Sequence, residues 1–326
     1  MKIIRFASTT GPRLGILEND SVIDLVDAAF ARNLTWLAPA FSDFRAFLVG
    51  GENLRELARE IALSAAVEPV PQQSVMTLAP FEAGSKILAH VVNYVEHGKE
   101  GNIQPPERPF FFMKPSSSVT HPEAPVFVPE ITSKLDHEVE LAVIVGRAGR
   151  DIPEAKAYDY VGGYTVLNDV SCRDLQRNAG AEGLSKRYGQ NWTQGKGLDT
   201  CCPIGPCVVL SDELADPYPL DITCRVNGEI RQNASTDMMI FRIPKLLADI
   251  SRSLTLYPGD IVSTGSPAGG GVGTGRFLKA GDVVECEIER IGVLRNPIVE
   301  RNSEDVRGQS AVRAAASQKS PSLVQR

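Results

Sequence analysis

Basic charge is in short supply in this sequence: 34 Lys and Arg stand against 40 Asp and Glu, a formal net charge of -6 over 326 residues. A mildly acidic chain lacks the electrostatic footprint of a nucleic-acid binder, so no nucleic-acid partner is expected. Long apolar runs are missing too. None approaches the ~20 residues of a membrane span, and no membrane partner is expected. The opening Met1-Lys2-Ile3-Ile4-Arg5-Phe6 lacks the apolar core of a signal peptide and reads as a strand. Cysteine is sparse. Cys172, Cys201, Cys202, Cys207, Cys224 and Cys286 form no paired CxxC motif of the zinc type, and the adjacent Cys201 and Cys202 have poor geometry for a mutual disulfide. They read as buried free thiols in a reducing compartment, which predicts a cytoplasmic protein.

What is present is ordinary in bulk. Hydrophobic residues make up 43% and charged residues 23%, as in soluble globular proteins. The length can bury a sizeable core without staples and, at roughly 150 residues per domain, suggests about two domains. Gly15-Ile16-Leu17 and Ser21-Val22-Ile23 flank Glu18-Asn19-Asp20 and predict a hairpin. Phe41 to Ala66 carries apolar residues at helical spacing, broken at Gly50-Gly51, and residues 68–73 read as a linker. Residues 1–75 are therefore taken as a small N-terminal α+β module. Residues 76–302 hold many short β-like runs separated by Pro and Gly, with helices predicted chiefly over Arg173–Asn178 and Ile243–Leu254. This is a β-rich α+β pattern, a roll or barrel with peripheral helices. Residues 303–326 lack an apolar period and are expected to be a disordered tail.

The most informative segment is Asp136-His137-Glu138-Val139-Glu140-Leu141-Ala142-Val143-Ile144-Val145. On a strand, Glu138 and Glu140 share one face. Two neighbouring carboxylates are costly to bury unless a cation compensates, and carboxylate oxygens suit Mg²⁺, Mn²⁺ or Ca²⁺ better than zinc. The alternative is a solvated strand face. A third acid, Asp169, ends the strand-like run that begins at Tyr160. Three carboxylates from two strands would leave coordination positions for water and substrate.

Histidine is scarce, with four in the chain: His90, His97, His121 and His137. If residues 94–100 are helical, His97 and Glu100 are i,i+3 neighbours, and a carboxylate beside an imidazole suits a general base. The same spacing also fits a surface histidine with an incidental helical pair. His137 points to the strand face opposite the glutamates; His90 and His121 read as structural.

The motifs fall in a distinctive order. Asn93-Tyr94-x-x-His97 is followed by Phe112-Met113-Lys114-Pro115, His137-Glu138-x-Glu140-Leu141, Asp159-Tyr160-Val161-Gly162-Gly163-Tyr164 and Asn168-Asp169-Val170-Ser171-x-Arg173-Asp174-x-Gln176. Then come Gly195-Lys196-Gly197-x-Asp199-Thr200, Val226-Asn227-Gly228-Glu229, Pro258-Gly259-Asp260-Ile261 and Thr264-Gly265-Ser266-Pro267. From about Ile87 to Val299 the set resembles the fumarylacetoacetate hydrolase family, and residues 1–75 resemble the N-terminal module of many members. The resemblance implies a mixed β-sandwich roll, a homodimer and a Mg²⁺ or Mn²⁺ site on Glu138, Glu140 and Asp169. It implies a His97–Glu100 dyad on a lid, Lys196 as a catalytic lysine near the substrate oxygens, and substrate contacts from Lys114, Gln176 and Thr264. The chain departs from the pattern at Ala89-His90-Val91-Val92, where many members have a glycine. It departs again at the glycine-rich Gly269-Gly270-Gly271-Val272-Gly273 and over the longer stretch Gly180 to Gln190.

What the resemblance implies chemically is metal-dependent C–C hydrolysis of an acylpyruvate, a 2,4-dioxo acid such as fumarylpyruvate or acetylpyruvate. His97 would activate water and Lys196 would meet the developing oxyanion. The alternatives are oxaloacetate decarboxylation or tautomerisation, or turnover of a 2-oxo-3-deoxy acid on the same metal platform. A non-catalytic metal-binding β-domain would leave His97, Glu100 and Lys196 without a necessary role.

Overall fold

A computed structural model describes residues 1–64, 67–177 and 189–301. The predicted disordered tail and most of the Gly180–Gln190 stretch lie outside the described residues. Strands dominate. One mixed sheet runs in the order Val70–Pro71, Ser21–Asp24, Gly11–Glu18, Lys2–Ser8, Cys202–Leu210, Val161–Asn168, Val139–Val145, Ile261–Ser263, Ile87–His90 and Phe111–Lys114. A second sheet of five strands is ordered Glu229–Ser235, Asp221–Val226, Val283–Ile288, Gly292–Glu300 and Val126–Val128. The result is the β-rich α+β architecture expected, a mixed β-sandwich roll.

The central strand Val139–Val145 is buried at every position, because both faces of the sheet are covered. Leu141, Val143 and Val145 belong to the apolar cluster that holds Ile222, Val284 and Ile288 of the five-stranded sheet and Ile243, Leu247 and Ile250 of the helix Ile243–Ser253. Ala142 and Ile144 belong to a second cluster with Phe44, Phe47 and Leu48 from the N-terminal segment. Strand alternation thus assigns each side chain to one core.

The N-terminal hairpin forms as predicted, with Leu17 opposite Val22 and Glu18 opposite Ser21. Asn19 and Asp20 both take positive φ, 47° and 61°, as a tight two-residue hairpin turn requires. The helical stretch is two helices, Phe44–Val49 and Gly51–Ser64, hinged where Gly51 adopts φ 63°. Two expectations change. The linker contains an edge strand, since Val70 and Pro71 pair with Val22 and Ser21. No break in the sheet marks residue 75: Arg5 and Phe6 pair with Leu78 and Thr77, and Lys2 and Ile3 pair with Val209 and Val208. Composition shifts mark changes of local pattern, whereas strand pairing across 200 residues is invisible to them.

All six cysteines are free and buried. Among the described residues no helix is long and apolar enough to cross a membrane.

Close packing at the centre of the sheet gives a test. A Cβ on Gly163 would stand 2.6 Å from the Val209 carbonyl oxygen and 2.7 Å from Val208 Cγ1. Gly163→Ala should lower the unfolding free energy by roughly 1–3 kcal/mol, read by urea titration; an unchanged midpoint and slope would contradict this packing.

Candidate metal centre and active site

Strand geometry builds the acid cluster. Glu138 lies just before the strand Val139–Val145, and its amide donates to Asn168 Oδ1 at 3.0 Å; the Asp169 amide donates back to the Glu138 carbonyl at 2.9 Å. These bonds extend the Val139–Asn168 pairing and bring Asp169 beside the glutamates. One carboxylate oxygen from each of Glu138, Glu140 and Asp169 lies within 4.8 Å of the others, all three residues buried.

Each acid has a different set of partners. The Lys196 ammonium bridges Glu138 Oε2 and Asp169 Oδ2, the latter at 2.8 Å. The Arg173 guanidinium binds Glu138 Oε1 through Nη2 and Asp136 Oδ2 through Nε at 2.8 Å. These cations hold the Glu138 carboxyl well below its usual range against the opposing cost of its burial. Glu140 is different. Among the described residues its Oε2 accepts only from neutral donors, the Ser263 hydroxyl at 2.5 Å and the Gly265 amide at 2.9 Å. Burial, then the charges of Asp169 and Glu138, push its carboxyl up to about 8. A buried carboxylate in this condition is one positive charge short.

The donor set fits a hard divalent cation: three carboxylates, close-set, with one lacking a cationic partner and no thiol or imidazole among them. Glu138, Glu140 and Asp169 would hold it.

His97 stands over this cluster. Residues Val95–Glu100 are helical, as the i,i+3 reading requires. His97 Nδ1 faces Glu100 Oε2 at 3.5 Å and His97 Nε2 faces Glu138 Oε1 at 3.4 Å. The helix starts from a strained hinge. Val92 takes φ 51°, a left-handed conformation unusual for a β-branched residue. Asn93 clamps the next position, donating from Nδ2 to the carbonyls of Phe241 at 2.9 Å and Thr264 at 2.8 Å and accepting the Phe241 amide at 2.8 Å. The missing glycine is thus met by side-chain hydrogen bonds that hold the strained backbone.

His97, Glu138, Glu140, Gln176 and Lys196 line one cavity, with Phe112 and Trp192 stacked in its wall, ring centroids 4.9 Å apart. Glu100 sits behind His97. Two residues taken for substrate contacts do not face this space. Lys114 is fully buried behind Asp169, bound to its Oδ1 at 2.5 Å and to the Lys196 carbonyl; its charge steadies Asp169. The Thr264 hydroxyl donates to the Leu141 carbonyl at 2.9 Å, and Ser266 lines the cavity in its place. Gln176 does face the cavity, linked to Gln190 at 2.7 Å. His137 is turned away as expected, its Nδ1 3.0 Å from Gln232 Oε1.

Residues 86–299 match the family described as Fumarylacetoacetate (FAA) hydrolase C-terminal. The chain belongs to the fumarylacetoacetate hydrolase family. It is 39% identical over 307 residues to fumarylacetoacetate hydrolase domain-containing protein 2 of Pongo abelii, and 39% identical over 307 residues to oxaloacetate tautomerase FAHD2A, mitochondrial, of Homo sapiens. Each alignment covers 92% of both chains. The crystal structure of maleylpyruvate hydrolase from Sphingobium sp. SYK-6 with manganese(II) and pyruvate superposes with a TM-score of 0.74 at 30% identity, covering 93% of this chain and all of that one. Members of this family are enzymes, and this chain carries the acidic triad of a metal site.

Arg173 and Asp136 also belong to the site, and no local signal in the sequence marks their contacts. Arg173 follows Asp169 by four positions and precedes Gln176 by three; its contact with Glu138 spans 35 residues, and only the fold creates it.

Glu140→Gln should change two measurements in opposite directions. Its folded carboxyl titrates near 8 against 4.5 for a free glutamate. The folded state therefore holds more protons than the unfolded state between these values, and metal-free stability falls as pH rises through that window. Glutamine removes this loss, so the metal-free melting temperature at pH 8 should rise while Mn²⁺ affinity drops by about 10–100-fold or more. Wild-type Mn²⁺ affinity by calorimetry would remove Glu140 from the site.

Proposed function

We propose that this enzyme carries out proton-transfer chemistry next to the carbonyl of a small 2-oxo dicarboxylate, with keto–enol interconversion of oxaloacetate as the leading reaction. One juxtaposition supports the reading above the rest. The His97 imidazole and the Lys196 ammonium meet on one carboxylate, Glu138, at the edge of the three-acid cluster. The similarity to a protein named oxaloacetate tautomerase over 92% of both chains points the same way.

A Mg²⁺ or Mn²⁺ ion bound by Glu138, Glu140 and Asp169 would polarise the 2-oxo group and acidify the adjacent C–H. The residues of the chain do the rest. His97, with Glu100 behind it, takes the proton from the carbon of the keto form and delivers it to the enolate oxygen, and the same transfer runs in reverse from the enol. Lys196 supplies fixed positive charge where negative charge develops on oxygen. Arg173 keeps Glu138 ionised, and Lys114 holds Asp169 in place through an ion pair. Phe112 and Trp192 keep one wall of the cavity apolar, which strengthens these charge interactions by excluding water. We place the reaction in a homodimer in the cytoplasm.

A second reading, hydrolysis of an acylpyruvate, is favoured by the His97–Glu100 pair itself, since a carboxylate-backed imidazole suits activation of water. The similarity to maleylpyruvate hydrolase supports it. Purified protein assayed with Mg²⁺ and with Mn²⁺ against enol-oxaloacetate, acylpyruvates and 2-oxo-3-deoxy acids separates the readings. Fastest turnover of enol-oxaloacetate is expected; acylpyruvate cleavage without tautomerisation would replace the first reading by the second. In either case His97→Ala should cost about 10²–10⁴ in kcat with Mn²⁺ binding retained, and wild-type turnover of that variant would sink the assignment of the base.

A further inference from the structure

The glycine-rich loop Gly269-Gly270-Gly271-Val272-Gly273 has no part in the chemistry described so far, yet its alternate glycines face three different neighbours. A Cβ on Gly269, which adopts φ 107°, would overlap the Arg231 carbonyl oxygen. On Gly271 it would lie 2.8 Å from Asp136 Oδ1, and on Gly273 it would overlap the Glu100 carboxyl carbon. The loop is thus moulded on one side to Asp136 and on the other to the partner of His97.

The hydrogen bonds follow the same path. Asp136 is fully buried and accepts from the amides of Gly271 at 2.6 Å, Val272 at 3.3 Å and His137 at 2.9 Å, and from Arg173 Nε at 2.8 Å. At the other end of the loop the Gly269 amide donates to Glu100 Oε1 at 2.8 Å. Glu100 Oε2, the oxygen that faces His97, makes no hydrogen bond among the described residues. The carboxylate therefore takes its orientation from Gly269. A closed circuit results: Glu138 to Arg173, Arg173 to Asp136, Asp136 to the loop, the loop to Glu100, Glu100 to His97, and His97 back to Glu138.

We infer that the loop Gly269–Thr274, anchored by Asp136, is the seat that fixes Glu100 and through it His97, so that Asp136 and Gly273 are positioning residues for the acid–base pair. The inference rests on the proposed role of His97 and Glu100. It accounts for the glycines at two positions: a Cβ at Gly271 would crowd Asp136 together with the Phe277 ring, and one at Gly273 would push out Glu100, and a carboxylate displaced by about 1 Å no longer orients the imidazole. It also ties the base to the metal-binding acids, because Arg173 touches Glu138 and Asp136 together.

Hydrogen exchange of the amides of residues 98–103 tests the seat without requiring turnover. Four full-length proteins are compared: wild type, Gly273→Ala, Glu100→Ala and the double variant. Gly273→Ala introduces a methyl group without calling for a left-handed backbone. Each single change should speed exchange in this segment by about tenfold, and the double variant should exchange no faster than the faster single one, because both remove the same contact. Gly273→Ala should also lower kcat by about 10²-fold with Mn²⁺ affinity unchanged. Wild-type exchange in Gly273→Ala, or effects that multiply in the double variant, would overturn the inference. If melting shows that Gly273→Ala does not fold, Glu100→Ala decides alone: faster exchange at the Gly269 amide supports the seat and unchanged exchange overturns it. Should wild type turn over no 2-oxo acid, the proposed function fails while the exchange result still stands.

Discussion

The active site is organised around a charge imbalance. Four buried carboxylates, Asp136, Glu138, Glu140 and Asp169, share one region with three permanent cations, Lys114, Arg173 and Lys196. Buried charge is tolerated only when paired, and the pairing here is complete except at Glu140. Every cation has a specific duty: Lys114 backs Asp169, Arg173 joins Asp136 to Glu138, and Lys196 spans Glu138 and Asp169. What is left over is one acid facing the cavity with neutral donors only. That remainder is where a divalent cation would fit.

The fold makes the imbalance possible. A strand buried on both faces delivers Glu138 and Glu140 at its open end, while its apolar residues lock into two separate cores. The neighbouring strand Val161–Asn168 delivers Asp169 in register. Rigid strands therefore position the acids, and shorter elements carry His97 and Lys196. His97 rides on a helix of six residues, entered through a strained Val92 and held by Asn93. Lys196 ends a five-residue helix. This division leaves the charge framework of the site on the sheet and places His97 on a separate short helix.

Much of the site was legible in the sequence because its signals are local. The two-residue spacing of Glu138 and Glu140 puts both on one strand face, the three-residue spacing of His97 and Glu100 puts both on one helix face, and Asp169 closes a visibly apolar strand. For Lys114 and Thr264 residue type says that a side chain can bind a substrate, but not which side of the acid cluster it occupies. Lys114 lies behind Asp169, and Thr264 spends its hydroxyl on Leu141. Arg173 and Asp136 escaped because their contacts join residues 35 or more positions apart. The division of the chain at residue 75 met the same obstacle. Its local patterns were read correctly as hairpin and helices, yet the hairpin is the continuation of the catalytic sheet.

The most direct test of this account is thermal unfolding of the wild-type protein, stripped with EDTA and then titrated with Mn²⁺, at pH 6 and at pH 8. If Glu140 is the acid that lacks a cation, Mn²⁺ raises the melting temperature, the rise saturates at one ion per chain, and it is larger at pH 8, where the ion competes less with a proton on Glu140. No change in melting temperature, or a rise that shrinks between pH 6 and pH 8, would contradict it.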